Sequence, residues 1–251
     1  MHPKTTIIVL SYNGLEINKR FLHALYKHTS DFDLIMIDNG STDGSLQYFQ
    51  GFVADKSNML LVSNNQNLGV IGGRNQGYDI YSKSLNRTEY FVFLDNDQFC
   101  QPKWLEMHHS VMEQGKYDIV GVEAWLLSSS FWPVKNCKRP GEPFSYVGCG
   151  GMMVKSKVTD AIGMFDDRFN PCYFEDPDFC FRARKQGFKI GWNYKAAIMH
   201  LPHQTLGKNS KRWQHLRNSH AKFQAKWKGT KMLPLCQVKL DVLEGTAVPQ
   251  P

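Results

Sequence analysis

Long hydrophobic runs are missing from this 251-residue sequence, and none approaches the roughly 20 apolar residues needed to cross a bilayer. The N-terminus, Met1-His2-Pro3-Lys4 and then six residues up to Leu10, is too short for a signal-peptide core and lacks a small-residue cleavage site. A cytoplasmic location is therefore expected. Cysteine is also scarce. The six residues form no C-x-x-C pair, and a chain of this size needs no staples, so free thiols are expected. The nine histidines show no H-x-x-x-H or Cys/His zinc spacing. With 20 Gly, 11 Pro, 13% aromatic and 42% hydrophobic residues, collagen-like, coiled-coil and low-complexity classes are excluded. A folded globule of one generous domain, or two small ones, remains.

Acidic residues are absent between Phe179 and Leu240, where 14 lysines and arginines stand. The rest of the chain holds 16 basic and 23 acidic residues, so an acidic body carries a basic C-terminal third within a total of +7. Such a stripe suits a polyanion, an anionic membrane surface or a phosphorylated substrate, or else it solvates a helix face.

Strand and helix signals alternate through the first hundred residues. Thr5 to Leu10 is a β-branched run that stops at Ser11-Tyr12-Asn13-Gly14, and Ile17, Phe21, Leu25 and His28 follow at helical spacing. Phe32 to Asp38 is a second strand, ending in the turn-rich Asn39-Gly40-Ser41-Thr42-Asp43-Gly44, with a helix behind it. A strand at Met59–Val62, a helix over 73–85 and a strand at Tyr90–Leu94 complete the series. These strands lack in/out polarity, which implies an α/β fold with a mostly parallel sheet covered on both faces. Ligands of such sheets bind outside the carboxyl ends of the strands. Ser11-Tyr12-Asn13, Asp38-Asn39-Gly40 and Asp95-Asn96-Asp97 all lie at such ends, so they should converge on one edge.

Further on, a helix is expected near Trp104–Gln114 and a strand at Asp118–Val122. The segment 126–146 reads as a long irregular loop, and Gly148–Val154 as a strand whose glycines allow close backbone approach to a ligand. Trp213, Leu216, His220, Phe223 and Trp227 form an aromatic stripe on a basic amphipathic helix over 209–228, a docking face in preference to a membrane anchor. The division expected is a catalytic domain over 1–207 and a basic helix and tail over 208–251.

Two acidic clusters carry the chemistry. Asp95-Asn96-Asp97 follows an apolar strand directly, and two carboxylates two residues apart on a turn can hold a hard cation, Mn2+ or Mg2+, with positions left for phosphate oxygens. Glu175-Asp176-Pro177-Asp178 lies among aromatics, where desolvation and mutual repulsion raise carboxyl pKa values and create a general base. The same string fits a helix start with Asp176 as cap and Pro177 first in the helix, and Asp178 opens the helix or meets an acceptor.

The ordered strings SYNG, DNGSTDGS, NxNLGVIGGRNQG, DND and FDDRFNPCYFEDPDFCFRARKQGFKI, then an isolated His200, resemble the family 2 glycosyltransferases of the GT-A fold from about Thr6 to His200. The resemblance implies that Asp38 contacts the nucleotide base, with Ser11 and Asn13 in the loop around it. Asn67, Gly73 and Arg74 fall on the nucleotide or diphosphate side. Asp95 and Asp97 match the metal-binding D-x-D, where the last Asp ligates the ion directly and the first contacts ribose or water, and Asn96 between them falls among the donor-binding residues. Asp176 corresponds to the catalytic base, with Glu175 beside it, and His200 to the histidine that completes the metal site. His203 is a competing ligand. Lys222-Phe223 and Lys226-Trp227-Lys228-Gly229 resemble the helix that closes many small members.

The reading that follows is a metal-dependent inverting transferase, with a UDP-linked sugar as donor and a glycan, lipid-linked or other anionic acceptor. The basic tail would offer a peripheral membrane or polyanion contact. Two other readings stand beside it. One is a polyanion- or nucleic-acid-binding protein that uses the basic third, and the two combine if the acceptor is an anionic polymer or modified DNA. The other is a nucleotidyltransferase, whose glycine-rich, lysine-bearing loop is absent.

Overall fold

The structure, a computed structural model, describes residues 3–201 and 210–236. β1 (Thr5–Ser11), α1 (Leu15–His28), β2 (Phe32–Asp38), α2 (Ser45–Val53), β3 (Met59–Ser63), α3 (Gly69–Ser82) and β4 (Tyr90–Asp95) alternate as the hydrophobic pattern requires. β5 (Gln98–Cys100), α4 (Trp104–Gly115), β6 (Ile119–Gly121), β7 (Ala124–Leu127), β8 (Pro133–Asn136), β9 (Pro143–Phe144), β10 (Tyr146–Val147) and β11 (Met152–Lys155) follow. The chain closes with α5 (Ser156–Ile162), a short 3-10 turn at Asp167–Phe169, α6 (Glu175–Lys185), β12 (Ile190–Trp192), β13 (Ile198–His200), α7 (Ser210–Trp227) and β14 (Leu235–Cys236).

Seven strands form the central sheet in the order β12-β6-β11-β4-β1-β2-β3. It is mostly parallel, with β11 antiparallel to both its neighbours. Alternate side chains of each strand enter opposite cores, which is why the strands carry no polar face. Ile7, Val9, Val92 and Leu94 pack with Phe21, Leu25, Phe49 and Trp104 from α1, α2 and α4. On the other face, Ile8, Phe91 and Phe93 pack with Ile71, Tyr78, Phe179, Phe223 and Trp227 from α3, α6 and α7. The register pairs Ser11 with Asp38 and Leu10 with Asp95, so the polar ends of β1, β2 and β4 do meet on one edge.

The second half departs from the sequence reading. Residues 126–146 are not an irregular loop: β10, β7 and β8 build a three-stranded antiparallel sheet, too short in each strand to show a period. The glycines of 148–151 form a turn before β11, and α3 begins one turn earlier than Gly73. α6 starts at Glu175, capped by Phe174, so Asp176 and Pro177 lie inside its first turn and Asp176 is no cap. All six cysteines are free, and no described helix is long and apolar enough to cross a membrane.

α7 docks by its C-terminal half. Phe223 and Trp227 are buried, the Ser219 hydroxyl donates to Cys172 O at 2.9 Å, and the Lys222 amine donates to Arg168 O at 2.6 Å. Trp213, the first residue of the aromatic stripe, stays 59% exposed. His203 and the tail beyond Cys236 lie outside the described residues.

Candidate active site

A cleft of about 780 Å³ opens at the carboxyl edge of the sheet. Asn67, Arg74, Asp95, Asn96, Asp97, Glu175, Asp176 and His200 line it. Ser11, Asn13, Asp38 and Gly73 are not among the lining residues. Ser11 and Asn96 are tied into the frame, with the Ser11 hydroxyl and the Asn96 amide both donating to Asn18 Oδ1 at 2.9 and 2.7 Å. Asn13 joins the first two turns, its N–H donating to Ser41 Oγ and its Oδ1 accepting from Thr42 N, both at 2.8 Å. Asn67 Oδ1 accepts from Asn39 Nδ2 and from Gly69 N at the start of α3. Gly73 is a packing residue, because a Cβ there would run into the side chain of Leu10. Asp38 is fully buried. One oxygen accepts from Ser41 N at 3.1 Å, and the other has no hydrogen-bond partner.

The Asp95-Asn96-Asp97 turn joins β4 to β5, and its shape is held from both sides. Gln98 Oε1 accepts from Asp95 N at 3.0 Å, and buried Arg74 donates to Asp95 Oδ1 at 2.6 Å. β13 pairs antiparallel with β5, placing His200 opposite Gln98, and Leu201 N donates to Asp97 O at 3.0 Å. That pairing carries His200 across about a hundred residues of sequence to the turn. Its Nε2 lies 3.3 Å from Asp97 Oδ1, a buried oxygen with no aligned hydrogen bond. Burial opposes a charge on His200, yet Asp97 and Glu123 outweigh it and push the imidazolium up to about 10.

Ligand atoms of Asp95, Asp97 and His200 lie within 4.8 Å of one another. Two carboxylates and an imidazole, with the Asp97 oxygen making no aligned hydrogen bond, fit a divalent cation such as Mn2+ or Mg2+. The turn of glycines forms the adjoining wall. A Cβ at Gly150 would meet Asp95 Oδ2 at 2.6 Å, so the expected close approach there is to the site's own carboxylate.

The E-D-P-D string splits in space. Tyr173 and Phe174, both with positive φ, turn the chain sharply into α6 and aim its first residues into the cleft. Glu175 is buried, 3.4 Å from Arg74, with Oε2 unpartnered. Burial and the adjacent Asp176 push its carboxyl well above the ordinary range. Burial also raises Asp176, while Arg74 pulls it back, and its Oδ2 accepts from Cys149 N at 3.4 Å. Asp178 points the other way, fully buried, taking Arg182 Nε, the Trp227 indole and the Lys226 amine at 2.9, 2.9 and 2.6 Å. It anchors α7 and does not line the cleft.

The family described as "Glycosyl transferase family 2" matches residues 6–147. The chain belongs to that family. The chain is 26% identical over 116 residues to an uncharacterized glycosyltransferase of Haemophilus influenzae, a match covering 46% of the chain and 34% of the relative. The chain thus spans about a third of that curated relative's length. Its fold resembles the crystal structure of GalNAc-T7 with UDP, GalNAc and Mn2+ (TM-score 0.71, 12% identity, 91% of this chain and 48% of that one). It also resembles the mannosyltransferase PcManGT from Pyrobaculum calidifontis with GDP-Man and Mn2+ (TM-score 0.66, 15% identity, 90% and 65%). The fold is therefore of the GT-A type, and it carries an Asp-Asp-His cluster able to hold a metal.

Among the cleft residues that escaped the sequence reading are Gln98, Glu123, Arg212 and His215. Gln98 directly follows the D-x-D and was open to notice, whereas the other three sit in stretches with no turn or acidic pattern.

Proposed function

We propose that this glycosyltransferase moves a sugar with inversion from a UDP-linked donor to a hydroxyl of an anionic acceptor, with Asp176 as general base. The observation that carries the reading is the convergence of Asp95, Asp97 and His200 with Asp176 and Glu175 in one cleft. Asp176, with its carboxyl raised toward the working range, accepts the acceptor proton as the new bond forms. Burial and the neighbouring Asp176 favour the protonated form of Glu175, which would leave Asp176 the ionised partner. Arg74 fixes Asp95 from behind. A divalent cation held by Asp95, Asp97 and His200 would neutralise charge on the departing diphosphate. The acceptor oxygen, losing its proton to one base, attacks the anomeric carbon opposite the departing diphosphate, and this single displacement gives inversion.

Arg212 and His215 line the cleft from α7, which supports an acceptor carrying phosphate or another anion. The rival polyanion-binding reading is weaker, because part of the basic third is engaged within the fold. Lys226 pairs with Asp166 and Asp178, and Arg182 and Arg184 donate to backbone carbonyls.

Nucleoside diphosphate sugars screened by thermal shift with Mn2+ should single out UDP-linked donors, since a ligand at one hundred times its Kd stabilises by about 2.7 kcal/mol. Donor hydrolysis should stop with excess chelator, and proton NMR of the first product should show the opposite anomer. Equal rates with chelator would remove the metal from the reading, and a retained anomer would remove the single-base displacement.

A further inference from the structure

Glu123 lies between β6 and β7, outside every motif of the sequence, and its carboxylate is clamped between two side chains. Oε1 is 3.2 Å from His200 Nδ1, and Oε2 accepts from the Trp125 indole at 3.3 Å. Its backbone carbonyl accepts from Gly148 N at 2.9 Å, which ties the segment to the glycine turn beside Asp176. The two nitrogens of an imidazole point away from each other. Glu123 therefore grips His200 on the side opposite Asp97, which lies 3.3 Å from Nε2. It cannot join Asp95, Asp97 and His200 around one ion by way of Nε2, but it can decide what that nitrogen presents.

We infer that Glu123 is a positioning residue for the cation site, held by Trp125 and accepting the Nδ1 hydrogen of His200 so that, once a cation replaces the Nε2 proton, the Nε2 lone pair faces the metal. A metal-ligating histidine commonly donates its other N–H to a carboxylate, which fixes the tautomer and the ring angle and raises ligand basicity. The inference rests on the reading of Asp95, Asp97 and His200 as a cation site.

The test uses the full chain and Mn2+ alone, with free Mn2+ followed by electron paramagnetic resonance. Glu123→Ala should weaken Mn2+ binding by about 10- to 100-fold, the usual cost of losing such a partner. Glu123→Gln, whose amide oxygen still accepts from Nδ1, should lose less, and Trp125→Phe less again. In the Mg2+-loaded wild type, nitrogen-resolved NMR should show a His200 Nδ1 proton protected from solvent exchange. The protection should vanish in Glu123→Ala, a signature that a purely structural role would not move.

Wild-type Mn2+ affinity in a folded Glu123→Ala would overturn the inference while leaving the cation site intact. Failure of the wild type to bind Mn2+ would remove the site, and the inference with it. Should Glu123→Ala not fold, the Mg2+-loaded wild-type spectrum decides, because an unprotected Nδ1, or a proton remaining on Nε2 with the cation bound, overturns the assignment.

Discussion

α6 places three acids of its first turn in two opposite environments. Glu175 and Asp176 face the cleft crowded together, one oxygen of Glu175 without a partner. Asp178 faces α7 with three donors on its carboxylate. Both groups sit in the first turn of a helix, where the macrodipole favours negative charge, so local structure does not separate them. Satisfaction does. A buried carboxylate with every lone pair engaged holds the fold together, and one left short of partners stores unfavourable free energy that a substrate proton or cation can relieve.

The sharpest break of this contrast is Asp176→Asn. Transfer should fall by about 10²- to 10⁴-fold, the usual contribution of a general base, while donor binding by calorimetry stays unchanged. Its melting temperature should not drop, because the substitution removes a charge that burial disfavours. In the wild type, the acid limb of kcat/KM should lie above the ordinary aspartate value of 3.8, with activity lost as pH falls through it.

Asp178→Asn should do the reverse. Removing one partner from a buried ion pair costs about 3–5 kcal/mol, and the lower end fits here because Lys226 keeps Asp166 and Arg182 keeps the carbonyls of Ile162 and Met164. Urea unfolding should show the loss, and limited proteolysis should cut near α7 first. Since α6 carries both acids, some activity will fall as well. A variant that stays as stable as the wild type would refute the anchoring role.

These two residues also mark how far the sequence could be read. The parallel half was legible because each strand is a continuous apolar run closed by turn residues, and Asp95 and Asp97 follow from their place after such a run. The E-D-P-D string was legible as chemistry but not as geometry. Nothing in four adjacent letters tells which acid turns inward, because that depends on the start of α6 at Glu175, fixed by two residues of positive φ. His200 was recognised by resemblance alone. The physical cause of its position, pairing of β13 with β5, involves three-residue strands with no readable period. The small sheet of β7, β8 and β10 was missed for the same reason, and Glu123 with it.

A third way to sharpen the contrast is the slope of stability against pH. A carboxyl raised in the folded state binds more protons there than in the unfolded chain, so its contribution is present at low pH and drains as pH rises through the folded value. Glu175 should give this falling slope above the ordinary glutamate value of 4.5, and Glu175→Gln should flatten it in urea titrations taken at successive pH values. An unchanged slope in the variant would show that Glu175 is not the group held protonated.

The smallest effect belongs to Asp166, which lies on the satisfied side and titrates with the opposite sign. Arg168 first, and Lys226 of α7 with it, hold its carboxyl below the usual carboxylate range against the cost of burial. A depressed carboxyl contributes stability that is complete above its unfolded value and is lost as pH falls through the folded one. Lowering the pH below about 4, where an unpaired aspartate takes up its proton, should therefore begin to loosen α7 by this route while relieving the cleft acids. Asp166→Asn should cost about 0.5–1 kcal/mol at neutral pH, the scale of a partly exposed pair, and should remove that share of the acid sensitivity. Protection of the α7 amides in hydrogen exchange, compared between wild type and variant at both pH values, measures it. Equal protection at low and neutral pH in the wild type would show that Trp227 and Phe223 hold the helix without help from the Asp166–Lys226 pair.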